Sequence, residues 1–247
     1  AAHEAHRDGE VPPLAARDVP HAWQGAWWAL AVAALLATVV AAAATRALTA
    51  PPTAGAQREP VRWAAFGFGL AGYGCFGLGY IGYMTFIVSL LREQQVPQPQ
   101  IVAFYVLLGL AVVASSWLWA GLLQRFRGGG PLALLNALLA LATLLPVLST
   151  HPGAVFVSGA LFGAVFLSVV ASTTAFVRHN LPPAAWASGI AAYTIVFAAG
   201  QIVGPTFTGW IADGSGGLAR GLAVSALLLA VGAVLAALQR PLSPERP

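Results

Sequence analysis

The sequence has no lysine, one cysteine and one methionine, and only 8% of its 247 residues are charged. Soluble domains carry about a quarter charged residues, so a water-soluble globular fold is excluded. A single cysteine, Cys75, allows neither an internal disulfide nor a cysteine metal cluster. The missing lysine removes Schiff-base chemistry, and with it retinal attachment. The first 20 residues lack the basic stretch and apolar core of a signal peptide. The most telling absence is positional. The 12 basic and 8 acidic residues leave seven long stretches free of Asp, Glu, His, Lys and Arg.

Those stretches are 23–45, 63–91, 100–124, 130–150, 153–177, 184–212 and 221–238. A bilayer core needs about 20 apolar residues to be crossed as a helix, and a charge at its centre costs about 3 kcal/mol. The composition therefore predicts an all-α membrane protein with seven transmembrane helices. With alternate loops on opposite sides, Arg46, Arg58, Arg62, Arg125, Arg127, Arg178, Arg240 and Arg246 share one side. Arg7, Arg17, Arg92 and Arg220 share the other. The positive-inside rule puts the first set in the cytoplasm, with the N-terminus outside. The arginines are spread singly among loops and form no nucleic-acid patch.

Residues 1–22 read as an extracytoplasmic loop, 23–45 as one helix, 46–62 as a cytoplasmic linker with Pro51, Pro52 and Gly55, 63–238 as a six-helix bundle and 239–247 as a cytoplasmic tail. The loops inside the bundle are short, which makes consecutive helices antiparallel neighbours. One helix, a linker and six helices is the pattern expected of the second half of a twelve-helix transporter. In such proteins the substrate site lies between the halves near the midplane. On this reading the chain is a fragment whose N-terminal half lies upstream of Ala1.

The second stretch is rich in glycine, and Gly67, Gly69 and Gly72 match a dinucleotide fingerprint. That fingerprint needs a preceding strand and a βαβ unit, so the glycines read instead as close helix packing. On the same stretch Tyr73, Phe76, Tyr80 and Tyr83 fall on one helical face. Tyrosine hydroxyls in hydrocarbon need partners, so the face either lines a cavity or bonds neighbouring helices. In the sixth stretch Tyr193, Phe197, Gln201, Gly204 and Thr208 share a face. Pro205 frees the carbonyl of Gln201, and the Gln201 side chain either meets a substrate or joins two helices. Tyr105, Ser116 and Trp119 share a face of the third stretch. Gly159 and Gly163 read as a packing pair. The charge-free stretches offer no catalytic Asp, Glu or His, and His3-Glu4-Ala5-His6 lies in a polar tail, so neither enzyme, metal site nor cofactor is expected.

Gly200-Gln201-x-x-Gly204-Pro205-x-x-x-Gly209-x-x-Asp213 after Leu181-Pro182-Pro183 resembles the helix-eleven region of the major facilitator superfamily. Gly121-Leu122-Leu123-Gln124-Arg125-Phe126-Arg127-Gly128 is similar to its cytoplasmic loop motif between helices eight and nine, with Gln124 where an acidic residue usually precedes the Arg. Gly74-Cys75-Phe76-Gly77-Leu78-Gly79-Tyr80-Ile81 with Thr85-Phe86 resembles helix seven of the YbfB/YjiJ-like branch. The resemblance covers residues 23–238 and implies helices six to twelve of a twelve-helix fold working by alternating access.

The expected function is secondary active transport of a small organic solute across the inner (plasma) membrane, coupled to protons through a group in the missing half or Asp213. Tyr73, Tyr80, Tyr83, Tyr105 and Gln201 are the expected cavity-lining residues. Gly200, Gly204 and Pro205 would allow helix bending or tight closure, and Gly121, Arg125 and Arg127 mark the cytoplasmic loop. The expected partners are the solute, membrane lipid and the N-terminal half, with no nucleic acid. The alternative is a self-contained seven-helix receptor or sensor.

Overall fold

The computed structural model describes residues 22–46 and 62–242. Apart from their edges, segments 1–22 and 46–62 lie outside the described residues, as do His3, His6 and the tail beyond Leu242. The chain divides into two compact units, 1–55 and 56–247. The first contains α1 (Ala22–Arg46), exposed along its length from Trp27. The second holds α2 (Gly67–Glu93), entered through a 3₁₀ turn at Trp63–Phe66, then α3 (Gln98–Leu118), α4 (Ala120–Arg125), α5 (Gly130–Leu148) and α6 (Pro152–Asn180). After a second 3₁₀ turn at Pro183–Ala185 come α7 (Trp186–Ala212) and α8 (Gly217–Ala237). No strand occurs among the described residues, and seven helical spans are long and apolar enough to cross a membrane. Helices suit lipid because each satisfies its own backbone polar groups.

Two features differ from the expectation. The helices outrun several apolar stretches by a turn, taking in Arg92, Glu93, Arg178, His179 and Arg220 at their ends. Long arginine stems let the charge reach the interface while the helix continues. The third span is also broken: α3 stops at Leu118 and α4 restarts at Ala120. The Ser115 and Ser116 hydroxyls bond the carbonyls of Val112 and Val113 one turn back. Such bonds compete with the helix ladder and bend it. The Trp119 indole N–H then donates to Ala164 O of α6 at 2.7 Å, fixing the break.

In the second unit α2 packs against α7 and α8, α8 against α5, α5 against α6, and α6 against α3. Glycines permit the closest approaches. A Cβ on Gly72 would stand 2.8 Å from Gly232 O of α8, and one on Gly200 of α7 would stand 2.8 Å from the Gly77 carbonyl carbon of α2. The Gly159/Gly163 pair receives Phe104 and Leu108 of α3. The outer surface is apolar, with Trp117, Ile202 and Trp210 among the most exposed side chains. Asn136, Thr143, Ser158 and Ser225 are wholly buried. That distribution suits hydrocarbon surroundings, where interior polar groups tie helices together.

Pro146 lies inside α5 and cannot donate to the carbonyl of Ala142, one turn back. The Ser158 hydroxyl of α6 donates to that oxygen at 2.7 Å. The Tyr83 hydroxyl of α2 meets Ser158 Oγ at 2.6 Å. One proline thus creates the acceptor that joins three helices.

Candidate functional site

The tyrosine face of α2 turns inward, toward α6 and α7. Tyr73 stacks on Phe76 and on Phe197 of α7, each at 5.4 Å between ring centres, and meets Tyr193 edge-on at 5.6 Å. Phe76 stacks on Tyr80 at 4.7 Å, and Phe197 lies 5.5 Å from Tyr80. On the α6 side Phe166 stands 6.4 Å from Tyr80 and 5.6 Å from Phe162, which stacks on Tyr83 at 4.1 Å. The result is a continuous aromatic row from Tyr193 to Tyr83. The spacing of its members along α2, α6 and α7 keeps each set on one helical face.

One of the row's four tyrosines, Tyr80, lies at mid-span. Tyr80 is the central residue of α2, Phe166 that of α6, and the centre of α7 falls between Phe197 and Gln201. The Gln201 amide N–H donates to the Tyr80 hydroxyl oxygen. This contact is possible because Gly77 and Gly200 let α2 and α7 cross closely just beside it. Tyr80 is nearly buried, whereas Gln201, Phe166 and Phe197 are half-buried. Gln201 Oε1 accepts no hydrogen bond among the described residues, and the Tyr80 O–H remains free to donate onward. Mid-span, α2, α6 and α7 carry no charged side chain.

The structure brings Tyr80 and Gln201 together and links Tyr73 to them through Phe76 and Phe197. Tyr83 is wholly buried and spends its hydroxyl on Ser158. Tyr105 stands apart from this row on α3, 37% exposed, with Phe104 as its ring neighbour among the described residues. Gly204 packs on Leu78 and Ile81 of α2, and Pro205 sits within an α7 that continues to Ala212. Gly121 has open space around it. Arg125 lies over the Phe126 ring at 5.9 Å, and the Arg127 carbonyl accepts from Asn180 at 2.8 Å. Among the described residues no three His, Cys, Asp or Glu side chains cluster as metal ligands would.

Sequence reasoning did not single out Phe162, Phe166 and Phe176 of α6. Their spacing on one helical face was a usable signal. It also passed over Asn180 and Gln239. Gln239 is 5% exposed. Its side-chain carbonyl accepts from Gly69 N at 2.8 Å and its amide donates to Ala65 O at 3.0 Å. Its backbone carbonyl accepts from Gly129 N at 2.9 Å. Asn180 Oδ1 accepts from Leu242 N at 2.6 Å. These bonds gather the start of α2, the α4–α5 loop, the end of α6 and the segment after α8.

A family model described as "Uncharacterised MFS-type transporter YbfB" matches residues 11–237. No curated protein and no solved structure matches the chain.

Proposed function

The chain belongs to the YbfB-like family of major facilitator transporters, and from that premise we propose that it forms the C-terminal half of a twelve-helix secondary transporter for a small, uncharged organic solute. Membership sets the seven-helix receptor reading aside and makes the protein a multi-pass membrane transporter rather than an enzyme. On our reading it resides in the inner (plasma) membrane, with the α2 start, the α4–α5 loop and the α8 end on the cytoplasmic side. The six-helix bundle rocks against the other half about a midplane site.

One observation carries the site assignment: the half-buried Gln201 bonded to the buried Tyr80 at the centre of three spans, framed by aromatic rings. Tyr80 and Gln201 contact the solute, and Tyr73 holds Phe76 and Phe197 in place behind them. Tyr83 braces the same face from within the bundle, and Tyr105 lines a separate groove between α2 and α3, with Val88 and Ile101. Gly200 and Gly204 permit tight closure of α7 on α2, with Pro205 providing the bend. Coupling is to protons, whose carrier lies outside the charge-free spans.

The test uses the full-length transporter in liposomes containing a pH-sensitive dye. A panel of neutral organic solutes is added one at a time under an imposed pH gradient. At least one should evoke solute-dependent proton movement. Gln201→Ala should lower that rate at least tenfold, about 1.4 kcal/mol of transition-state binding, while leaving the folded fraction unchanged. Equal transport by the variant, with reduced thermal stability, would make Gln201 helix glue and remove it from the site. Solute movement without proton movement would remove the coupling.

A further inference from the structure

The rings around Tyr80 share one orientation. Phe76, Phe197 and Phe166 lie within 19°, 18° and 8° of its plane. Phe197 is likewise within 24° of Tyr73 and 14° of Phe76. Elsewhere in the core rings meet both ways, edge-on at Tyr73–Tyr193 and Phe66–Phe176 (73° and 90°) and stacked at the wholly buried Tyr83–Phe162 pair (15°). At mid-span the parallel set ends in the half-buried Phe166 and Phe197. A flat ring laid against them would extend the stack, the offset arrangement that aromatic quadrupoles favour.

The polar pair beside these rings has a definite pattern. With one of the two Gln201 N–H groups spent on the Tyr80 oxygen, Tyr80 presents an O–H donor beside the Gln201 carbonyl acceptor, and the second Gln201 N–H is a further donor at the same edge. The complement is a group with an adjacent C=O and N–H, as in a carboxamide or lactam. No charged side chain lies mid-span on α2, α6 or α7 to neutralise an ionic ligand, and an unpaired charge at that depth is costly.

The geometry points to an uncharged planar aromatic carboxamide or lactam as the substrate class, its ring stacked on Phe166 and Phe197 and its amide edge on Tyr80 and Gln201. This specificity rests on the transporter reading above. A site that reads an amide edge rejects analogues lacking it, because the buried donor and acceptor are then left unpaired.

Benzamide tests this, with equilibrium binding measured on the full-length transporter in nanodiscs. Benzamide should bind. Cyclohexanecarboxamide, which keeps the amide and loses the flat ring, should bind about threefold to tenfold more weakly. Toluene and benzoate should each bind more than tenfold more weakly. Tyr80→Phe should erase the preference for benzamide over toluene, and Phe166→Leu the preference for the flat ring. The ligand series on the unmodified protein decides the matter even if a variant fails to fold. Equal binding of the two amides, preferred binding of benzoate, or no benzamide binding at millimolar concentration overturns the assignment. If solute-dependent transport is nevertheless lost in Gln201→Ala, the transporter reading stands and only the substrate class falls.

Discussion

At the residue scale, the inner face of α2 shows how one sequence pattern divides into two jobs. Tyr80 keeps a partner that is half-buried, whereas Tyr83 has Ser158 and the carbonyl that Pro146 leaves free. Removing Ser158 strands two groups, while removing the Tyr83 hydroxyl strands none that lacks another partner. Ser158→Ala is therefore expected to destabilise the protein by about 1–3 kcal/mol, the cost of a buried unsatisfied acceptor. Tyr83→Phe should cost about 0.6 kcal/mol, the usual value for a hydrogen bond between membrane helices. Thermal unfolding of the two variants in one detergent ranks them, and equal or reversed losses would refute the three-helix link. The tyrosine face was legible because its period is that of a helix. Whether each hydroxyl faced a cavity or a neighbour was not, because the partners of Tyr80 and Tyr83 lie 121 and 75 residues away.

At the element scale, charge exclusion alone located all seven spans, since lipid penalises charge wherever it falls in a core. The break at Trp119 escaped it. Hydropathy is indifferent to a bend whose cause is two serine hydroxyls and an indole reaching Ala164 on another helix. The glycines of α2 were legible as packing positions, yet which helix each one meets depends on the crossing geometry. Gly77 and Gly200 form the crossing that delivers Gln201 to Tyr80. A methyl group on Gly200 would meet backbone atoms of Gly77 and Leu78, which have no rotamer to yield. Gly200→Ala should thus push α7 off α2, destabilise the bundle by about 1–3 kcal/mol and break the Tyr80–Gln201 bond. Gly67, with nothing within 4 Å of such a methyl, provides the control: Gly67→Ala should leave the melting temperature essentially unchanged. Comparable losses in both variants would show that helix flexibility, not the crossing, is what these glycines supply.

At the scale of the bundle, its two ends are built differently. Where α2 begins, Gln239, Asn180 and the Gly129 amide tie together the first and last segments of the six-helix bundle. At the opposite end the long-range side-chain link among the described residues is Gln94 donating to Pro146 O at 2.8 Å. Gln239 stands just past the last apolar run, where a polar residue reads as solvated tail; its burial comes from the chain turning back over Gly129. Rocking of two bundles requires each to move as a body, and a stitched end couples helices that would otherwise slide separately. Gln239→Leu keeps the side chain's bulk and deletes its bonds to Gly69 N and Ala65 O. The Gly69 amide lies in the first turn of α2, where Gln239 stands in for a helical acceptor, so the substitution removes the partner it has in the folded bundle. Hydrogen exchange followed by mass spectrometry should then speed up in peptides covering 62–70 and 126–131, with the 93–98 segment unaffected. Acceleration spread evenly over both ends would mean global destabilisation, and no acceleration would mean that backbone packing at Gly129 suffices. Either result would deny this side chain its part in making that end of the bundle move as one piece.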